Sequence, residues 1–175
     1  MTSLAHAQTM AAYNRWMNER LYALCAELSD EERKRDLRAF FRSIHGTLNH
    51  LLLADRLWLG RFTGELLEIQ GLDQELYADF AELRRERERT DAALTSWVAT
   101  LSDAKLAASF SFVSYTSPQT RTLPLWAAVT HLFNHQTHHR GQLTTLLEQS
   151  GRDPGVTDLI WLPGLANVAS APVAR

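Results

Sequence analysis

The sequence predicts an all-α fold, a four-helix bundle with a short hairpin-like insertion before the last helix. Three observations carry that expectation. Four long segments repeat apolar residues at three- and four-residue spacing, and one stretch near residue 115 alternates aromatic and hydroxyl residues instead. Each long segment also carries one tryptophan (Trp16, Trp58, Trp97, Trp126), taken as an anchor for a shared core. At 175 residues, 45% of them hydrophobic, the chain has the length and composition of one globular domain. That domain is expected over 1–163, with a disordered tail over 164–175.

The first helix is expected over about 3–28, where Met10, Met17, Leu21, Leu24 and Leu28 form one stripe. Asn14 and Cys25 flank that stripe. Cys25 reads as a small buried hydrophobe, and Asn14 as an amide in need of a partner. Ser29, with Glu32 three residues on, has the capping-box pattern and starts a short helix or turn. The second long helix covers about 38–62 through "AFFRSIHGTLNHLLLADRLWLGRF", which is apolar on nearly every side, and a loop follows from Gly64 to Gly71. The third covers about 73–101. Its "ELRRERERT" run has opposite charges three and four apart (Glu82–Arg85, Arg84–Glu88) and reads as a solvated face. "SFSFVSYTSPQTRTL" reads as a hairpin turning at Ser117-Pro118-Gln119. Pro124 is placed to start the last helix and Gly151 to end it, and an extended tail follows in which Trp161 packs back.

The bulk numbers exclude several functions. A net charge of -2 gives no field for nucleic acid, and no apolar run reaches membrane-spanning length. One cysteine forms no internal disulfide and fits a reducing compartment, and the N-terminus lacks a signal-peptide pattern, so a cytoplasmic protein is expected.

The chemistry concentrates in "HLFNHQTHHRGQL", which holds His131, His135, His138 and His139. With His131 at zero on a wheel of ~100° per residue, His135 lies near 40°, His139 near 80° and His138 near -20°. The apolar positions Ala128, Leu132, Leu143 and Leu146 fall at roughly 60–120° on the same wheel, so His135 and His139 sit in the core stripe and the other two at its edge. Two imidazoles one turn apart in an apolar stripe can meet one metal ion; paired core histidines and a polar patch are the other readings. The segment lacks the Glu of H-E-x-x-H, and the chain has no Glu-x-x-His pair, which sets aside zincin proteases and di-iron carboxylate bundles. An all-nitrogen donor set suits zinc, nickel, copper or iron(II) and argues against magnesium and calcium. A third ligand should come from another helix. The wheel does not separate His45 from His50, and His6 is more remote.

"IHGTLNHLLLADRLWLGRF" and "LFNHQTHHRGQL" together resemble the DinB family of bacterial four-helix-bundle proteins. The resemblance runs from about residue 10 to 162, including "YNRWMNERL" and "DLIWL", and its most specific element is N-H-x-x-x-x-D-x-x-W ahead of H-Q-T-H-H-R-G-Q. It implies an up-down-down-up bundle, a homodimer, and a metal triad of His50, His135 and His139. The implied metal is a divalent transition ion, nickel or zinc first, with iron or manganese also admitted. Some relatives are transferases or isomerases that use low-molecular-weight thiols such as bacillithiol or mycothiol; others have no known reaction. The resemblance therefore implies either a metal-dependent enzyme of thiol S-transfer, isomerase or hydrolase type acting on a small molecule, or a non-catalytic stress-induced metal-binding protein. The family name refers to induction by damage and implies no contact with DNA. His138, Asp55 and Gln142 are candidates for orienting ligands or moving protons, and Arg140 reads as a surface or salt-bridge residue.

Overall fold

The computed structural model describes residues 3–115 and 117–166, and within them the chain is mostly helical with one small sheet. Four long helices, α1 (Leu4–Ala26), α3 (Ile44–Thr63), α4 (Phe80–Ala99) and α6 (Leu125–Gln149), are joined by two short ones, α2 (Asp30–Lys34) and α5 (Asp103–Ala107). The strands β1 (Ser109–Ser114) and β2 (Ser117–Pro124) pair antiparallel just before α6. No helix among the described residues is long and apolar enough to cross a membrane.

Local chemistry fixes these boundaries. Ser29 caps α2 in a complete capping box with Glu32. α6 starts after Pro124 and stops at Ser150, and Gly151 follows in the left-handed region at φ 76°. The second and third long helices start later than the sequence pattern predicts. Residues 38–43 form a tight loop in which Arg38 and Arg42 have φ of 57° and 67°, the Leu37 amide donates to the Arg42 carbonyl at 2.7 Å, and Ser43 caps α3. Residues 73–79 are loop as well. The Asn49 carboxamide oxygen accepts from the Leu76 and Tyr77 amides at 2.9 and 3.0 Å, and Asp79 caps α4.

The long helices contact one another around a closed ring: α1 with α4, α4 with α3, α3 with α6, and α6 with α1. Their core divides into two apolar clusters. One is centred on Met17, Leu21, Ile44, Leu52, Leu83 and Leu147, the other on Ala11, Trp58, Leu94, Val98, Val129 and Leu132. Between them every long helix contributes buried polar residues: Asn14 and Asn18 from α1, Asp55 from α3, Arg87 and Asp91 from α4, Gln136 and Arg140 from α6. Arg87 pairs with Asp55 at 2.7 Å and Asp91 at 2.8 Å. Gln136 donates to Asp55, Asn18 donates to Asp91 at 3.0 Å, and Arg140 donates to Asn14 with its guanidinium over Tyr13. Two carboxylates thus share the Arg87 guanidinium and take further hydrogen bonds from Gln136 and Asn18, while Arg140 is held by the Asn14 amide, which is how buried charge is tolerated. Burial raises the Asp55 and Asp91 carboxyls and the Arg87 charge opposes it.

The structure overturns three readings of the sequence. The charged run of α4 is not solvated throughout, because Arg87 is 2% exposed. Arg140 is buried at 3% rather than lying on the surface. Trp161 is 61% exposed and does not pack back. The tryptophans of the long helices do pack on the core as expected, Trp58 buried and Trp16, Trp97 and Trp126 half-buried against it. Residues 164–166 form a turn, and the rest of the expected disordered tail lies outside the described residues. Cys25 is fully buried, its thiol pushed up to about 12 by burial, as expected of a core hydrophobe.

Candidate metal centre

Where α3 faces α6, at the level of the buried polar layer, three imidazoles converge. His50 is buried on α3, and His135 and His139 lie one turn apart on α6. The His135 Nε2 stands 3.4 Å from the Nε2 of His50 and 3.1 Å from that of His139, and the three donor atoms all lie within 4.8 Å of one another. Nitrogens bound at ~2.0–2.1 Å around a tetrahedral ion stand roughly 3.4 Å apart, so the spacing fits one metal.

The other ring nitrogens say which form each imidazole takes. His50 Nδ1 lies 2.8 Å from the Leu72 carbonyl and His139 Nδ1 lies 2.8 Å from the Gln142 side-chain oxygen. A carbonyl only accepts, so His50 Nδ1 carries the proton and its Nε2 presents a lone pair to the centre; the same holds for His139 if Gln142 presents its oxygen. Lone pairs facing one another repel unless a cation or proton lies between them. A proton on His135 Nε2 would satisfy one neighbour and leave the other. Its own Nδ1 is buried without a partner among the described residues. Burial pushes His50 down to about 4 and His135 to about 3, with repulsion from neighbouring imidazoles adding to it, so both are neutral at pH 7 and free to ligate.

The flanking loops hold this geometry. The Phe41 ring stacks on His50 at 3.8 Å between centroids and meets His139 edge-on at 5.5 Å. The loop carrying Leu72 is strapped to α3 by Asn49 and by His45, whose Nε2 lies 2.9 Å from the Tyr77 carbonyl. Cavities open on two sides of the triad. One, of about 590 Å³, lies by Phe40, His138 and Gln142; the other, of about 430 Å³, lies beneath the hairpin. The centre is therefore accessible.

The DinB family's sequence profile matches residues 1–170. The chain belongs to the DinB family. It is 26% identical over 149 residues to Protein DinB of Bacillus subtilis (strain 168), a match spanning 83% of this chain and 87% of that one. The crystal structure of a DinB-like protein from Bacillus cereus ATCC 10987 superposes with a TM-score of 0.65 at 20% identity, covering 89% of this chain and 98% of that one; this likeness concerns the fold.

Within this DinB-family chain the remaining candidates fall in different places. Gln142 touches His139, and its amide nitrogen lies 3.3 Å from His138 Nε2; His138 itself is exposed at the mouth of the larger cavity. Asp55 is fully buried and engaged with Arg87 and Gln136, five residues beyond His50. His131 is exposed, 6.0 Å from His135 between ring centroids and outside the converging group; His45 anchors the loop, and His6 is exposed on α1. Sequence reasoning missed Gln136, Phe41 and the Leu72 carbonyl. Gln136 was within reach, because at about 140° on the wheel it borders the apolar stripe. The other two act through loops whose path has no sequence signature.

Gly46 links the Phe41 loop to α3. A Cβ there would collide with the Phe41 carbonyl oxygen. Gly46→Ala is expected to cost about 1–3 kcal/mol and to weaken metal affinity by displacing the ring that packs on His50. Gly141→Ala, with nothing within 4 Å of the added methyl, is expected to stabilise α6 by up to ~1 kcal/mol. Urea midpoints and metal titrations of the pair check both; equal metal affinity in the Gly46 variant would disconnect the loop from the centre.

Proposed function

We propose that the protein is a metal-dependent enzyme in which His50, His135 and His139 bind one divalent transition metal, zinc or nickel, and leave a position open for substrate. The carrying observation is the convergence of three Nε2 atoms with the His50 Nδ1 proton committed to a carbonyl. His131, the residue that would close the centre as a fourth ligand, lies outside the group, and this favours an enzyme over a non-catalytic metal-binding protein. The ring of helix contacts supports a four-helix bundle. The order of the two apolar clusters along each helix, α1 and α6 running one way and α3 and α4 the other, supports the up-down-down-up arrangement. Exposed Ile160 and Trp161 are consistent with a homodimer.

The reaction is read as thiol S-transfer or a related isomerisation or hydrolysis, in the cytoplasm, with a low-molecular-weight thiol as partner. A bound metal would supply Lewis acidity and keep a thiol deprotonated. The chain's own part is to hold three neutral imidazoles, fix the His50 ring through Leu72, and pack Phe41 on one side of it. Gln142 orients His139, and His138 stands at the cavity mouth, placed to exchange a proton with solvent. The test is the protein loaded with cobalt(II). Adding a low-molecular-weight thiol is expected to produce a thiolate-to-metal charge-transfer band and shift the d–d bands. Unchanged spectra at saturating thiol would rule out thiol ligation at the open position.

A further inference from the structure

The cavity beneath the hairpin is built for charge of one sign. On α3, His50, Ala54, Leu57, Trp58 and Arg61 follow one another at three- or four-residue steps or as neighbours, and all border it. Alanines 127 and 128 of α6 leave the space, and Phe112 and Arg121 close it from the hairpin. Tyr115 fastens the hairpin to the neighbouring loop by donating to the Gln70 carbonyl at 2.8 Å. Among the described residues lining this volume there are two arginines and no carboxylate. Arg61 is partly buried, with its guanidinium 4.6 Å from the Trp58 ring centroid and 5.2 Å from that of Phe112. Burial moves its pKa below the usual arginine value, and no carboxylate raises it. It pairs with no carboxylate among the described residues, whereas the arginines of the helix interfaces are satisfied: Arg56 by Glu86, Arg87 by two aspartates, Arg140 by Asn14.

A guanidinium held against two aromatic rings with its donors unused is a receptor for an anion. We propose that this cavity is the substrate pocket and takes an organic anion, with its head group on Arg61, its apolar body along Trp58 and Phe112, and its reacting end at His50 and His135. This assignment rests on the metal-enzyme reading above and specifies its substrate class. Arg61 lies eleven residues from His50, or about 16 Å along the helix at ~1.5 Å per residue. Side chains shorten that span but do not close it, so the ligand is extended, and small ions such as acetate or inorganic phosphate cannot bridge it. A volume of about 430 Å³ suits such a molecule.

The experiment titrates the zinc-loaded protein by calorimetry with 4-phenylbutyrate, 3-phenylpropyl phosphate and the neutral 4-phenylbutanamide, measuring zinc content on the same samples. At least one anion is expected to bind about tenfold or more tighter than the amide, and the better of the two identifies the head group. Arg61→Gln should abolish that preference and Arg61→Lys should retain most of it, with zinc content unchanged in both. If neither anion is preferred over the amide, or if the preference survives in a folded Arg61→Gln protein, the assignment is overturned. Absence of zinc from wild type would instead remove the metal reading, while the anion preference would still be read from the same titration.

Discussion

Arg87→Ala is expected to lower stability by about 3–5 kcal/mol, among the largest losses that any single substitution in this chain should produce. The side chain is 2% exposed and lies 2.7 and 2.8 Å from Asp55 and Asp91, themselves 0% and 4% exposed. Removing it leaves two buried carboxylates without their shared counter-charge. Arg140 remains nearby, but it is already committed to Asn14 and Tyr13. The pH dependence has a definite sign. Burial already raises Asp55 and Asp91, and the loss of Arg87 raises them further, above their values in the unfolded chain. The folded variant therefore binds protons more readily than the unfolded one, and its deficit against wild type should shrink as pH falls from neutrality through the carboxylate range. Urea denaturation of both proteins at pH 7 and pH 5 measures this. A loss under 1 kcal/mol, or a deficit that grows on acidification, would mean that the layer is hydrated and its charges only weakly coupled.

The second large effect concerns the metal. Zinc or nickel at a thousand times its dissociation constant should stabilise the folded protein by about 4 kcal/mol. For a chain of this size that raises the melting temperature by roughly 8–16 °C. His135→Ala, His139→Ala removes two of the three converging nitrogens and should abolish the shift while leaving the metal-free melting temperature close to that of wild type. Both rings are neutral and desolvated, and no ion pair depends on either. A double variant that still gains stability from metal would place the binding elsewhere, at the exposed His131 and His138 for example.

Much of this centre was legible in the sequence because helix geometry is regular. Eight residues span little more than two turns, so the relative directions of His131, His135 and His139 followed from the wheel alone. The choice between His45 and His50 did not. Both are buried on a helix apolar all round, and what separates them is that His45 turns to the Tyr77 carbonyl while His50 faces α6. The late starts of α3 and α4 were hidden for a related reason. Leu37, Phe41, Leu76 and Tyr77 continue the apolar pattern, yet they pack from loops pinned by Asp36, Ser43 and Asn49. The buried polar layer shows a further limit of reading charge by composition. Arg87 and Asp91 fall on the stripe defined by Leu83, Leu94 and Val98, but a run of charged neighbours made Arg87 look solvated.

Whether the three converging imidazoles form one metal site is decided by the metal content of the purified protein. Elemental analysis of wild type beside His135→Ala, His139→Ala should find about one equivalent of transition metal per chain in the first, as three nitrogens on one ion require, and next to none in the second. A wild-type protein that carries no more transition metal than the double variant, after incubation with zinc or nickel and removal of the excess, would contradict a shared metal site.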